Sequence, residues 1–170
     1  NVLRGNDGAD VVEAGDGIDR LFGDGGNDTL QGGLGDDRIA AGTDNDLAEG
    51  GEGDDAVGGD AGDDTLLGGT GADTLEGGSG ADVLDGGDGF DLASYRKATV
   101  GVVADLAGLI AGTSQAQGDV FIGVEAIDGS DHVDQLHGDD ADNLLSGYGG
   151  ADALTGRGGA DTLSGGDGDD

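Results

Sequence analysis

Along the first half of the chain one residue in nine is a committed apolar one. Val12, Leu21, Leu30, Ile39, Ala48, Val57, Leu66, Leu75, Leu84 and Ala93 succeed each other at nine-residue intervals, each two residues after an aspartate. The aspartates, Asp10, Asp19, Asp28, Asp37, Asp46, Asp55, Asp64, Asp73, Asp82 and Asp91, keep that phase without a slip. Two residues before each stands a glycine, from Gly8 to Gly89, with Asp44 the lone departure. So short and strict a repeat predicts one small unit stacked on itself.

The unit has two halves, shown in full by Gly68-Gly69-Thr70-Gly71-Ala72-Asp73-Thr74-Leu75-Glu76. Glycine at its first, second and fourth positions gives a backbone that takes positive φ at little cost, which predicts a turn. The last three residues alternate polar, apolar, polar, the pattern of a short half-buried strand. Two units then make one coil with a strand on each side. Stacked coils form two parallel sheets about 4.8 Å per coil around a thin aliphatic ladder.

Composition narrows the choice of partners. The 170 residues carry a formal charge of -32, with 42 glycines, no proline or cysteine, two tyrosines and three phenylalanines. Such a balance excludes nucleic acid and anionic membrane surfaces, which need a basic footprint that six Lys and Arg residues do not make. No apolar run approaches membrane-spanning length. Composition alone resembles disorder, but acidic linkers do not hold an aliphatic residue in fixed phase with an aspartate. The chain starts without Met and ends inside a repeat at Gly165-Gly166-Asp167-Gly168-Asp169-Asp170, as a piece of a longer protein would.

A file of carboxylates repels itself unless cations lie between its members. One aliphatic per nine residues is also too little to offset the entropy of ordering them, glycine above all. A hard divalent cation meets both needs. The turns offer carboxylates and glycine-exposed carbonyls rather than thiols or clustered imidazoles, and calcium accepts six to eight oxygens where magnesium prefers a rigid octahedron.

With these G-G-x-G-x-D-x-U-x units the chain resembles the RTX, or haemolysin-type, calcium-binding repeat family of type I-secreted bacterial proteins. The likeness covers about ten units from Gly5 to Ser94 and about five weaker ones from Gly129 onward. It implies an all-β fold, a parallel β-roll or right-handed β-solenoid, with calcium between each turn and the turn two units later. Asp10 would pair with Asp28, Asp19 with Asp37, Asp28 with Asp46, Asp37 with Asp55, Asp46 with Asp64, Asp55 with Asp73, Asp64 with Asp82, and Asp73 with Asp91.

The family pattern adds carbonyl oxygens from the first and third positions of one turn. These are Gly5 and Asp7, Ala14 and Asp16, Gly23 and Gly25, Gly32 and Leu34, Ala41 and Thr43, Gly50 and Glu52, Gly59 and Ala61, and Gly68 and Thr70. The second and fourth positions of the partner turn would complete the sets: Asp24 and Gly26, Gly33 and Gly35, Gly42 and Asp44, Gly51 and Gly53, Asp60 and Gly62, Gly69 and Gly71, Gly78 and Gly80, and Gly87 and Gly89. In the second array the ligands implied are Asp134, Asp152, Asp161 and Asp170, with Gly147, Gly149, Gly166 and Gly168 through their carbonyls. Up to about eleven ions would then add roughly +22 to the chain.

Departures from the pattern predict weaker sites. Ala14 and Ala41 replace first-position glycines, and Asp44 a fourth. In the second array His132 and Ala141 stand at fourth positions, Tyr148 and Arg157 at second positions, and Asn143 brings an oxygen but no charge. The Asn143–Asp161 site is expected to be weak or empty, and the Asp134–Asp152 site to suffer from His132.

The chain thus reads as a first array over 1–94, a non-repeat insert over 95–128, and a degenerate second array over 129–170. Within the insert Val100–Leu106 alternates like a strand, and Ala107–Gly112 is expected to return as its hairpin partner. Tyr95, Arg96, Lys97 and Phe121 could form a ligand patch, but the plainer reading is a structural spacer. No nucleophile elbow, Walker A run or zinc spacing points to catalysis in this segment. What the resemblance implies is a calcium-binding module that folds on meeting extracellular calcium. It would serve the export, through type I secretion machinery, of a larger secreted or cell-surface protein, which could itself be an enzyme. The alternative is an adhesive or carbohydrate-contacting module of a surface adhesin or polysaccharide-modifying enzyme.

Overall fold

The computed structural model describes residues 1–170. Its first eleven strands are β1 (Val2–Asp7), β2 (Val11–Asp16), β3 (Arg20–Gly25), β4 (Thr29–Leu34), β5 (Arg38–Thr43), β6 (Leu47–Glu52), β7 (Ala56–Ala61), β8 (Thr65–Gly71), β9 (Thr74–Ser79), β10 (Val83–Gly89) and β11 (Leu92–Ser94). Then come β12 (Val103–Asp105), a 3-10 turn at Ser114–Ala116, β13 (Val120–Ile122), β14 (Ala126–Asp128), β15 (Gln135–His137), β16 (Leu144–Gly149), β17 (Ala153–Thr155) and β18 (Thr162–Asp167).

One face of the molecule is a nine-stranded sheet in the order β1-β3-β5-β7-β9-β11-β14-β16-β18. The other face is split into a six-stranded sheet, β13-β10-β8-β6-β4-β2, and a three-stranded one, β12-β15-β17. Within the arrays the pairing is parallel with partners eighteen residues apart, as in Leu30↔Ala48 and Leu145↔Leu163. This is the all-β parallel roll that the nine-residue period predicts. The aliphatic residues form a single core that runs through both arrays and the insert.

The strands are longer than the alternation predicts. β4 begins at Thr29 as expected but continues through Gly32 and Gly33 to Leu34. Gly33 pairs with Gly51 and Leu34 with Glu52, while Gly32 at the first position drops out of the ladder. Backbone N–H and C=O groups need partners whatever the side chain, and the next coil offers them at glycine as readily as at leucine. The turn proper shrinks to the fourth, fifth and sixth positions.

The insert threads out of order. β13 stacks on β10 through Leu84↔Phe121, and β14 on β11 through Ala93↔Ile127, while the earlier β12 stacks on β15 through Ala104↔Leu136. The chain therefore leaves the first array, reaches the second, and comes back to close the first. The hairpin expected over Ala107–Gly112 does not form, apart from one antiparallel bridge between Val103 and Thr113. Instead the Asp105 carboxylate accepts the N–H groups of Ala107, Leu109 and Ile110, a local side-chain turn that competes with a ladder. Arg157 of the second array pairs with the same carboxylate.

The aromatic and basic residues of the insert are engaged within the chain. The buried Tyr95 donates its hydroxyl to Asp119 at 2.7 Å. Arg96 lies 3.7 Å above the Tyr148 ring and 3.0 Å from Asp131, and Lys97 pairs with Glu76 at 2.8 Å. Phe121 packs against the core.

Candidate metal centre

Because successive units alternate sides, the aspartates fall into two files, one on each edge of the roll. Asp10, Asp28, Asp46, Asp64 and Asp82 line one edge; Asp19, Asp37, Asp55, Asp73 and Asp91 line the other. All but Asp10 are buried. In each file the backbone N–H of one aspartate donates to Oδ1 of the next, eighteen residues on, at 2.7–2.9 Å. The second oxygen, Oδ2, is buried in all ten and accepts nothing. A buried carboxylate oxygen without a donor is costly, and ten in two rows call for a common partner.

The space beside these oxygens is kept open by glycine. A β-carbon on Gly32, Gly50, Gly59 or Gly68 would overlap two atoms at once: the Oδ2 of the aspartate in its own unit, and the carbonyl oxygen of the first residue two units later. A carboxylate and a carbonyl thus converge on each bare α-carbon, at the position the sheet ladder skips. Ala14 and Ala41 bring a methyl to that space in the units of Asp19 and Asp46. At most second- and fourth-position glycines the nearest approach is to a carbonyl, as Gly33 to the Gly15 oxygen and Gly35 to that of Gly17.

No three His, Cys, Asp or Glu side chains cluster as a metal cage. Any cation here must draw on at most two carboxylates and complete its shell with carbonyl oxygens, a donor set that suits calcium better than zinc or copper. Burial pushes Asp46, Asp55, Asp64 and Asp82 up to about 6, against the pull of the backbone N–H each accepts, and neighbouring carboxylates add to the rise. Asp37, Asp73, Asp91 and Asp152 are raised for the same reason. These groups are poised to take up positive charge, as a proton or as a metal.

The second position of the turn sets this state. It is left-handed at Asn6, Asp24, Asp60, Tyr148 and Arg157, with φ of 75°, 73°, 70°, 71° and 74°, and at the glycines that occupy it elsewhere. Ser130 and Asp139 are the exceptions. In those two turns the second N–H swings onto the unit's own sixth residue: Ser130 N–H donates to Asp134 Oδ2 at 2.6 Å, and Asp139 N–H to Asn143 Oδ1 at 2.8 Å. The Ser130 hydroxyl and the Val102 N–H also reach Asp134, so both of its oxygens have donors. The change at Asp134 therefore starts at Ser130, whereas His132 contributes only a backbone N–H to the Ser130 hydroxyl.

The rest of the second array is mixed. Asn143 leaves its amide nitrogen buried and unpartnered, facing no acceptor. Asp152 keeps an orphaned Oδ2, and its N–H donates to Asp170 Oδ1 at 3.0 Å. Asp161 accepts the Asn143 N–H but is only half-buried, and Asp170 is exposed.

Two acids of the insert continue the files and were not anticipated. Asp82 N–H donates to Asp119 Oδ1 at 3.0 Å, and Asp91 N–H donates to Glu125 Oε2 at 2.9 Å. Each stands two residues before a ladder residue, Phe121 or Ile127, which is the spacing of the repeat. A search for acid, any residue, apolar would have found them, although the nine-residue phase is lost. A second, exposed ladder was also missed: Asp36 and Asp54 at fifth positions accept the N–H of Asp54 and Ala72, at 3.1 and 2.8 Å.

No helix is long and apolar enough to cross a membrane. A search of the curated proteins finds no match. The family model of the RTX calcium-binding nonapeptide repeat (4 copies) matches residues 4–39, 31–66, 58–93, 128–163 and 137–170, and so takes in both arrays and leaves out the insert. With that match over most of its length, laid on a parallel roll with glycine-lined acidic edges, this chain belongs to the RTX calcium-binding nonapeptide repeat family and is a calcium-binding module.

Proposed function

We propose that the two carboxylate files are calcium ladders and that loading them folds the chain outside the cell. The observation that carries this reading is the row of ten buried Oδ2 atoms without a donor, all but those of Asp19 and Asp46 beside a space that glycine leaves open. Eight ions would lie between Asp10 and Asp28, Asp19 and Asp37, and so on to Asp73 and Asp91, so interior aspartates serve two ions each. A ninth belongs between Asp152 and Asp170. The Asp134 and Asn143 turns contribute little, since their sixth residues are already turned inward. Backbone carbonyls complete each shell.

With an affinity of about 0.1 mM, millimolar calcium adds about 1.4 kcal/mol per site by mass action. Summed along a ladder, that is enough to decide between folded and unfolded for a domain of this size. At low cytosolic calcium the chain stays unfolded, which suits passage of a larger protein through type I secretion machinery; at extracellular calcium it folds and holds the exported protein outside. Far-ultraviolet circular dichroism of the 170-residue chain tests this. The expected result is an unordered spectrum in excess chelator and cooperative gain of strand signal in millimolar calcium. Equal strand content in both would refute it.

A further inference from the structure

We propose that Glu125 of the insert closes an additional calcium site with Asp91, at the end of one edge of the first array where the nine-residue repeat has already stopped; the inference rests on the calcium reading above. Asp91 is fully buried, and its Oδ2 has no hydrogen-bond partner. In the interior cradles that oxygen shares the space beside a first-position glycine with a carbonyl from the following coil. The following coil is here replaced by the insert, and the Gly123 carbonyl takes that place: a β-carbon on Gly86 would overlap both Gly123 O and Asp91 Oδ2. Glu125 holds the position of the next aspartate, its Oε2 accepting the Asp91 N–H at 2.9 Å while its own N–H and that of Ala126 return to the Asp91 carbonyl at 3.1 and 2.9 Å. Gly123 reaches this pose with φ of +56°.

The opposite edge ends differently, and the contrast sharpens the assignment. Asp119 accepts the Asp82 N–H with Oδ1 and the Tyr95 hydroxyl with Oδ2, so both its oxygens are engaged. The three atoms nearest a β-carbon on Gly77 all belong to Asp82, with no carbonyl from the insert among them. The Tyr95 phenol thus takes up the acid that ends one edge, where no insert carbonyl joins the unpartnered Asp82 Oδ2, whereas at the other edge the Gly123 carbonyl joins Asp91 Oδ2. Because β14 follows Glu125 directly and pairs with β16, the ion at Asp91 would fasten the first array to the second.

Calcium binding to the whole chain, counted by equilibrium dialysis against radioactive calcium, tests this with two variants. Glu125→Gln keeps an oxygen for the Asp91 N–H but loses the charge, and is expected to bind one ion fewer at calcium levels that saturate the other sites, its site weakened about tenfold or more. Asp119→Asn is expected to leave the count unchanged. An unchanged count and affinity in Glu125→Gln would overturn the proposal and leave Glu125 a hydrogen-bonding strap. Failure of the unmutated chain to bind calcium at all would instead overturn the reading on which the proposal rests.

Discussion

Asp91 and Asp134 occupy the same place in their turns and are equally inaccessible to solvent, yet one has a bare oxygen and the other has none. Four residues before Asp91 stands Gly87, with φ of 96°; four before Asp134 stands Ser130, outside the left-handed region. With the left-handed residue, the second N–H points away from the carboxylate and Oδ2 is left to a cation. With Ser130, that N–H and the hydroxyl beside it occupy the carboxylate from within. On the proposed reading, the capacity of a turn for calcium depends on the backbone of its second residue as much as on the aspartate that would hold the ion.

Acid should erase the distinction most completely. Asp46, Asp55, Asp64 and Asp82 have folded-state values near 6, above the 3.8 of an unfolded aspartate. The folded chain then binds more protons than the unfolded one between those values, so stability of the metal-free roll falls as pH rises from about 4 through about 6. Protons and calcium compete for the same oxygens. In chelator, circular dichroism should therefore show more strand signal at pH 4.5 than at pH 7.5, where the metal-free chain is unordered, while calcium titrations should show weaker binding at the lower pH.

Single substitutions act on fewer sites. On the proposed ladder Asp64 would serve two ions, one with Asp46 and one with Asp82, so Asp64→Asn should shift the calcium midpoint of folding upward by about tenfold. Asp161→Asn, in a half-buried site next to Asn143, should shift it far less; similar shifts would mean that the two arrays do not differ. Ser130→Gly works in the opposite direction. It lets the second position become left-handed and removes the competing hydroxyl, and should add one bound calcium per chain in a binding-stoichiometry measurement.

Much of this was legible in the sequence because the period is rigid. A nine-residue unit with two units per coil dictates eighteen-residue register, and the register alone brings Asp46 to Asp64 and Leu30 to Ala48. In the sequence the first-position glycines read as turn formers and carbonyl donors, whereas the space they keep open beside Oδ2 shows only once the coils are stacked. What stayed hidden obeys tertiary rather than periodic rules. Asp119 and Glu125 joined the files only because the chain doubles back through the insert, a path no local pattern records. Ser130 looked like an ordinary turn residue, and its effect depends on a hydrogen bond formed only once the turn closes. Asp105, which replaced the expected hairpin with a side-chain turn, was likewise one acid among 38 Asp and Glu.

The most direct test is anomalous diffraction from crystals of this chain grown in calcium. A row of calcium peaks is expected along each edge of the first array, spaced by one coil and each beside an aspartate Oδ2, with a further peak at Asp152 and none at Asp134. Peaks absent from the two files, or a fully occupied calcium at Asp134 with Ser130 still bonded to it, would contradict the claim that the orphaned oxygen marks the site.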